Sequence, residues 1–321
     1  MKQGVDSLVL RAGFEPATPG SKGQDTYQAI RPEPFLRFDL FGYGWIKVFL
    51  FIAWYRFLAL SRSTSVYGVV LAAGRGRRLA PYTDAVPKEL LPIGSKPVIQ
   101  YCVEALRDAG VERIFIVLSQ GKDAILEYFK DGSRFDVRIA YLYQDLESGI
   151  GTAKAVEAVR GWVYGDFVVL YGDTFFHPSS FISSMLDFHY AKGSKATIGL
   201  YHIAGDPRRF GIVRVNSNYK ILELVERPST DILDRFRVDD GYLVNSGPLI
   251  LSEDIFRYIE RTGLSPDGEY WITESIRLMI NDNLPVYGYR IPSEVFWRDV
   301  GTQESRLEAE RYALEKLNAK L

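Results

Sequence analysis

The sequence predicts an α/β chain, with a mostly parallel central sheet flanked by helices and a β-rich part after it. Three observations carry that prediction. Across residues 66–173, strand-length apolar runs alternate with segments of helical spacing, an order that gives a parallel sheet with helices on both faces. The strand runs are continuous in apolar residues, as in strands buried on both faces. After residue 190, strand-like runs follow one another with only turns between them.

In chain order, VYGVVLA (66–72) is a short apolar run that stops at a glycine loop, so a buried strand is expected. PVIQYCVEALRDAG (97–110) has apolar residues at helical spacing, Pro at its start and Gly at its end. RIFIVLS (113–119), VRIAYLYQ (137–144) and DFVVLYGD (166–173) read as strands, KDAILEYFK (122–130) and GTAKAVEAVRG (151–161) as helices. The loops at 73–96, 144–151 and 172–177 leave the carboxyl ends of these strands, where open α/β sheets bind ligands. ATIGLYHI, FGIVRVN, KILELVERP and YLVNSGPLILS are the strands of the second part. Helices are expected at about 252–261 and 272–281, a last strand in LPVYGYRIP, and a terminal helix over 302–320.

Composition removes several function classes. The formal net charge of -1 gives no sign of a nucleic-acid binder. Cys102 is the single cysteine, so there is no intrachain disulfide framework, which fits a reducing, cytoplasmic setting. His177, His189 and His202 lack zinc-binding spacing.

Cations concentrate behind the first strand, at Arg75, Arg77, Arg78, Lys88 and Lys96. Gly74 and Gly76 allow close backbone approach, and amides with Arg and Lys suit a polyanion. A P-loop is excluded because no Lys-Ser or Lys-Thr follows the glycines. A dinucleotide fingerprint is excluded because Leu79 stands where a third Gly should open a helix, and Pro81 discourages a helix nearby. Taken alone, Gly-x-Gly describes a surface turn with solvated arginines more readily than a site.

The whole stretch is more specific. Leu71-Ala72-Ala73-Gly74-Arg75-Gly76-Arg77-Arg78-Leu79, then Pro81, Thr83, Pro87-Lys88 and Lys96-Pro97, resembles in order and spacing the signature of sugar-1-phosphate nucleotidyltransferases. Arg77 stands where that family usually has Thr. PKELLPIGSKPVIQYCVEA is most similar to the glucose-1-phosphate uridylyl- and thymidylyltransferase branches. The resemblance implies a Rossmann-like nucleotidyltransferase fold and a reaction in which an NTP and a sugar 1-phosphate give an NDP-sugar and pyrophosphate.

Carried over position by position, the resemblance implies a full site. Leu71, Ala73, Gly74 and Gly76 would meet the nucleotide, with Arg78 and Lys88 as the catalytic cations on its phosphates. Gln144 and Gly149, in Q-x4-G-I-G, match the base-reading segment; a Gln amide offers a donor and an acceptor. Asp173 of Gly172-Asp173 and Asp299 of Trp297-Arg298-Asp299-Val300-Gly301-Thr302 match the magnesium ligands, so Mg²⁺ is the implied cofactor. Gly211, Glu226, Arg227 and Asn245 match the sugar-phosphate side, Arg227 replacing the commoner Lys.

UTP or dTTP and glucose 1-phosphate are the substrates favoured by this resemblance. Mannose 1-phosphate with GTP, a non-sugar phosphate with CTP, and a silent regulatory homologue remain open as alternatives. The expected partners are the two substrates and a homo-oligomeric copy, with no nucleic acid and no membrane for residues 66–321. After Thr302 only 19 residues follow, too few for the left-handed β-helix some relatives carry, so no acyltransferase part is expected.

The resemblance covers residues 66–321, read as the catalytic domain, and leaves residues 1–65 as an N-terminal extension. Residues 35–60 are strongly aromatic, but Asp39, Lys47 and Arg56 interrupt them, and the run 48–55 is far short of the ~20 apolar residues that span a bilayer. A membrane-attached arm is the competing reading. No Met lies between Met1 and Met185, and Gly13-Phe14-Glu15-Pro16 back-translates to a sequence compatible with a transfer-RNA T-arm. Residues 1–65 are therefore expected to be spurious translation or dispensable. Mass spectrometry of the native N-terminus checks this; a native peptide from residues 11–60 would refute it.

Overall fold

The computed structural model describes residues 66–74 and 76–317, with only the backbone of Arg77. The N-terminal extension 1–65, Arg75 and residues 318–321 lie outside the described residues.

Four parallel strands form the first half of the sheet. They are β1 (Tyr67–Ala72), β2 (Arg113–Leu118), β3 (Arg138–Tyr143) and β4 (Asp166–Tyr171), in the spatial order β3-β2-β1-β4. Val69, Val70 and Ala72 of β1 and Phe167 to Leu170 of β4 are completely buried, which explains their uninterrupted apolar character. Helix α1 (Val98–Asp108) starts after Pro97 and ends at Gly110, whose φ of 80° lets the chain turn back. It packs on one face of the sheet with α2 (Asp123–Phe129) and, further on, α4 (Phe181–Ala191). On the other face lie α3 (Thr152–Glu157), α5 (Ile255–Glu260) and α6 (Ile272–Asn281). The expected two-faced cover is therefore present.

The second half is built on antiparallel pairs. Beyond the short strand β5 (Thr174–His177) come β6 (Ala196–Ile203), β7 (Gly211–Val215), β8 (Ile221–Glu226) and the long β9 (Gly241–Ser252). The carboxyl half of β9 pairs with β4 and its amino half with β7. Its register against β6 shifts between Asn245 and Leu249, around Gly247, where φ is 109°. One strand thus joins the two halves of the sheet through an irregularity, a common device beside ligand sites. β10 (Val286–Arg290) runs parallel to β6.

Several boundaries differ from the sequence reading. The stretch 172–177, read as a loop, contains β5, which pairs with a further strand β11 (Phe296–Asp299), so 284–292 is not the last strand. The loop 73–96 holds two 3-10 turns and a one-turn helix, Tyr82–Ala85. Pro81 precedes that helix directly and does not prevent it, because Pro is tolerated where the first turn's N–H groups have no partner anyway. Terminal helix α7 (Gln303–Lys316) begins at Thr302, whose side chain accepts from the Ser305 N–H in a capping box. No helix among the described residues is long and apolar enough to cross a membrane.

Candidate active site

The spatial order β3-β2-β1-β4 reverses direction between β1 and β4, and the crevice beyond their carboxyl ends is the expected ligand position. Two adjoining cavities open there, one of about 580 Å³ and one of about 240 Å³. Thr152, Tyr171, Asp173 and Glu269 line both.

The larger cavity is walled by the residues that follow the parallel strands. Leu71, Ala73, Gly74 and Gly76 come from the end of β1, Ser119 from β2, Gln144 from β3, and Asp173 from β4. Gly76 has a φ of 68°, and a Cβ there would lie 2.9 Å from the Thr83 methyl, so glycine lets the loop fold over the Lys88 stem. The Thr83 hydroxyl donates to the Gly76 carbonyl at 3.0 Å and fixes the turn. Gln144 is buried, and its Nε2 donates to the Gly149 carbonyl at 3.2 Å. Gly149 itself lines neither cavity; it orients Gln144 instead. Arg78 also lines neither, and its Nη2 lies 2.8 Å from where a Cβ on Gly301 would be.

Four charges run along the floor. The Lys88 ammonium pairs with Asp173, and the Lys122 ammonium donates to both Glu89 oxygens at 2.6 and 2.7 Å. Burial alone would raise the Asp173 carboxyl, but the Lys88 ammonium overrides it and holds it below the ordinary carboxylate range. For Lys88, burial opposes the charged form, and Asp173 and Glu89 together raise it above the usual lysine value. The signs agree: Asp173 contributes stability above its unfolded pKa, lost as pH falls through its lower folded value. Lys88 contributes below its unfolded pKa, and that contribution is lost as pH rises through its higher folded value. The pair therefore stays ionised between about pH 5 and pH 9.

Glu89 and Lys122 are almost wholly buried, at 1% and 8% side-chain exposure. Burial pushes the Glu89 carboxyl up against the pull of Lys122 and Lys88. Removing Lys122 takes away the ammonium hydrogen-bonded to both Glu89 oxygens and leaves only the more distant pull of Lys88, so Lys122→Met is expected to destabilise by about 3 kcal/mol, whereas Lys122→Met with Glu89→Leu recovers most of it. Urea unfolding of the two variants measures the difference; a double variant as unstable as the single one would contradict it.

The smaller cavity belongs to the second half of the sheet. Gly211 from β7, Glu226 and Arg227 at the end of β8, and Asn245 from the irregularity in β9 all line it, with Asp173 and Asp299. A Cβ on Gly211 would lie 2.7 Å from Glu226 Oε2, so only glycine leaves that carboxylate in place. Burial raises the Glu226 carboxyl, opposed by a hydrogen bond with Thr273 and by Arg227. Asn245 Oδ1 accepts from the Gly247 N–H at 3.0 Å. The two aspartates meet because β5 and β11 pair: Asp299 registers with Thr174, and the Val300 N–H donates to the Asp173 carbonyl at 2.9 Å. Asp299 Oδ1 is buried with no hydrogen-bond partner.

The family model for nucleotidyl transferases matches residues 67–316. The chain belongs to the nucleotidyl transferase family. It is 30% identical over 253 residues to the bifunctional protein GlmU of Methanococcus maripaludis, covering 79% of this chain and 56% of that protein. It is 31% identical over 258 residues to the low-salt glycan biosynthesis nucleotidyltransferase Agl11 of Haloferax volcanii, covering 79% and 67%. The chain thus spans about half the length of the GlmU proteins it matches. Among solved structures it is similar to a Bacillus anthracis protein assigned as a glucose-1-phosphate thymidylyltransferase and crystallised with sucrose. There the TM-score is 0.67 at 26% identity, over 77% of this chain and 95% of that one. A UDP-glucose pyrophosphorylase shares the fold, with a TM-score of 0.67 at 23% identity over 78% of this chain and 99% of that one. The resemblance drawn from the loop after β1 is borne out, as is the α/β fold of this family.

Of the cavity residues, sequence reasoning missed Thr152, Trp271 and Arg209, and it left Glu269 and Thr273, which stand near matching motifs, without roles. The segment carrying three of them is zipped to the loop after β3. The Tyr270 N–H donates to the Ile150 carbonyl, the Ala153 N–H to the Tyr270 carbonyl, and the Ile272 N–H to Thr152 Oγ1. No local pattern announces such a contact across about 120 residues.

Proposed function

We propose that this nucleotidyl transferase forms an NDP-sugar and pyrophosphate from an NTP and a sugar 1-phosphate. UTP or dTTP with glucose 1-phosphate is the favoured pair. The observation that carries the reading is the pair of adjoining cavities with Asp173 on their common wall. The larger one suits the nucleotide and the smaller one the sugar. Each substrate then presents its phosphate at the junction, which is the near-attack arrangement such a reaction needs.

A sugar-phosphate oxygen would attack the α-phosphorus in line as the bond to pyrophosphate breaks. The nucleophile is already ionised, so no protein base is required. Lys88, and Arg78 beside Gly301, would orient the triphosphate and offset charge on the leaving pyrophosphate. Gln144, held by the Gly149 carbonyl, would read the base edge, and Glu226 and Asn245 the sugar hydroxyls.

The residues present fit a magnesium ion: Asp299 Oδ1 is a buried oxygen without a partner, and Asp173 lines the same cavity. Two carboxylates with substrate phosphates are a usual Mg²⁺ set. Bound magnesium would supply charge neutralisation at phosphate oxygens. The presence of Arg78, Lys88, Asp173 and Asp299 together argues against a silent homologue.

The reverse reaction tests the proposal. UDP-glucose or dTDP-glucose with pyrophosphate should return the NTP and glucose 1-phosphate; no NTP from any NDP-sugar would contradict it. Glu226→Ala is expected to raise KM for the sugar phosphate about 10-fold while changing KM for the NTP less than about two-fold. Equal changes in the two constants would remove Glu226 from the sugar side.

A further inference from the structure

The wall of the smaller cavity carries four carboxylates, Asp173, Glu226, Glu269 and Asp299, against two arginines, Arg209 and Arg227. A substrate with an anionic group enters such a cavity only if a cation is available to it. The two arginines differ in that respect. Arg227 forms an ion pair with Asp267, and its guanidinium lies over the Trp271 ring at 5.1 Å. Its charge is already matched.

Arg209 has no carboxylate partner among the described residues. It is exposed, and its guanidinium lies 4.6 Å from the centroid of the Phe210 ring. Stacking on an aromatic face uses the plane of the guanidinium and leaves its N–H edge free to donate. The platform is itself anchored. The Phe210 ring packs on the buried Trp297 at 5.3 Å, the Phe210 N–H donates to the Pro207 carbonyl, and its carbonyl accepts from the Arg227 N–H. The adjacent Arg208 is spent differently, on a bidentate pair with Asp206. Of the two arginines on the cavity wall, Arg209 keeps an unspent fork.

We propose that Arg209 receives an anionic group of the sugar substrate and is a specificity-determining residue of the sugar side. This rests on the reading of the smaller cavity as the sugar cavity. The matching chemistry is a two-oxygen anion held bidentately. It has two sources, the 1-phosphate itself or a carboxylate on the sugar ring.

Titration calorimetry of the full chain with glucose 1-phosphate, without nucleotide, reads the proposal independently of turnover. For glucose 1-phosphate, for glucuronic acid 1-phosphate or for both, Arg209→Ala is expected to weaken binding about 10- to 100-fold, Arg209→Lys to restore part of it, and Arg208→Ala to leave it unchanged. In turnover assays Arg209→Ala should raise KM for the sugar phosphate and leave KM for the NTP within about two-fold. A glucuronic acid 1-phosphate arm separates the sources: a loss confined to that ligand assigns Arg209 to the ring carboxylate, and an equal loss for both assigns it to the phosphate. Unchanged binding of both ligands in Arg209→Ala, or no binding of either to the unaltered chain, overturns the proposal. Intact binding with no turnover of any substrate pair would instead contradict the proposed reaction.

Discussion

Asp173→Asn and Asp299→Asn are each expected to lower kcat by about 10²- to 10³-fold with the fold intact, the usual cost of losing one preorganised charge group at a transferring phosphate. Both aspartates line the smaller cavity, and the pairing of β5 with β11 sets them side by side. The amide keeps the shape of the carboxylate and removes the charge that a hard cation requires. In Asp173→Asn, Lys88 still has Glu89 as a neighbouring carboxylate, so the floor is not left with an isolated buried ammonium. Binding of Mn²⁺, followed by electron paramagnetic resonance, should weaken in both variants alongside kcat. Near-normal turnover of both variants at low Mg²⁺ would remove the pair from the site.

Lys88→Ala is expected to lower kcat by a similar factor, about 10²- to 10³-fold, and to cost about 1–3 kcal/mol of stability. The stability term follows from the Asp173 carboxylate, which loses the ammonium that overrides its burial. Its pKa then rises, so the stability that the unaltered protein loses through Asp173 on acidification should shrink or change sign, and the unfolding free energy of the variant should fall less as pH is lowered. Denaturation at a series of pH values between 3 and 7 separates this from a purely catalytic role, in which the acid limb would not move.

The parallel half of the fold was legible because β1, β2 and β4 are apolar runs ending in glycine or an acidic turn, as burial on both faces demands, whereas the edge strand β3 is only half-buried. The β5–β11 ribbon was not legible. Each member has four residues, and what makes Thr174–His177 a strand is a partner more than a hundred residues away. The same physics divides the site. Asp173, Asp299, Glu226 and Gln144 stand in recognisable motifs, and the structure brings them to the two cavities. Glu269 and Trp271 enter the walls only because Tyr270 is hydrogen-bonded to the loop after β3. Arg227 was legible as a cation on the sugar side, but its pairing with Asp267 was not, and that pairing leaves Arg209 as the unmatched charge. Lys122 gave no motif signal; its place beneath the site depends on the buried Glu89.

The central claim is nucleotidyl transfer between two substrates held in adjoining cavities. Initial rates of pyrophosphate release, with each NTP, several sugar 1-phosphates and Mg²⁺, test it most directly. The account predicts release that requires both substrates and yields one NDP-sugar per pyrophosphate. Release from the NTP alone, or none with any pair, would contradict it.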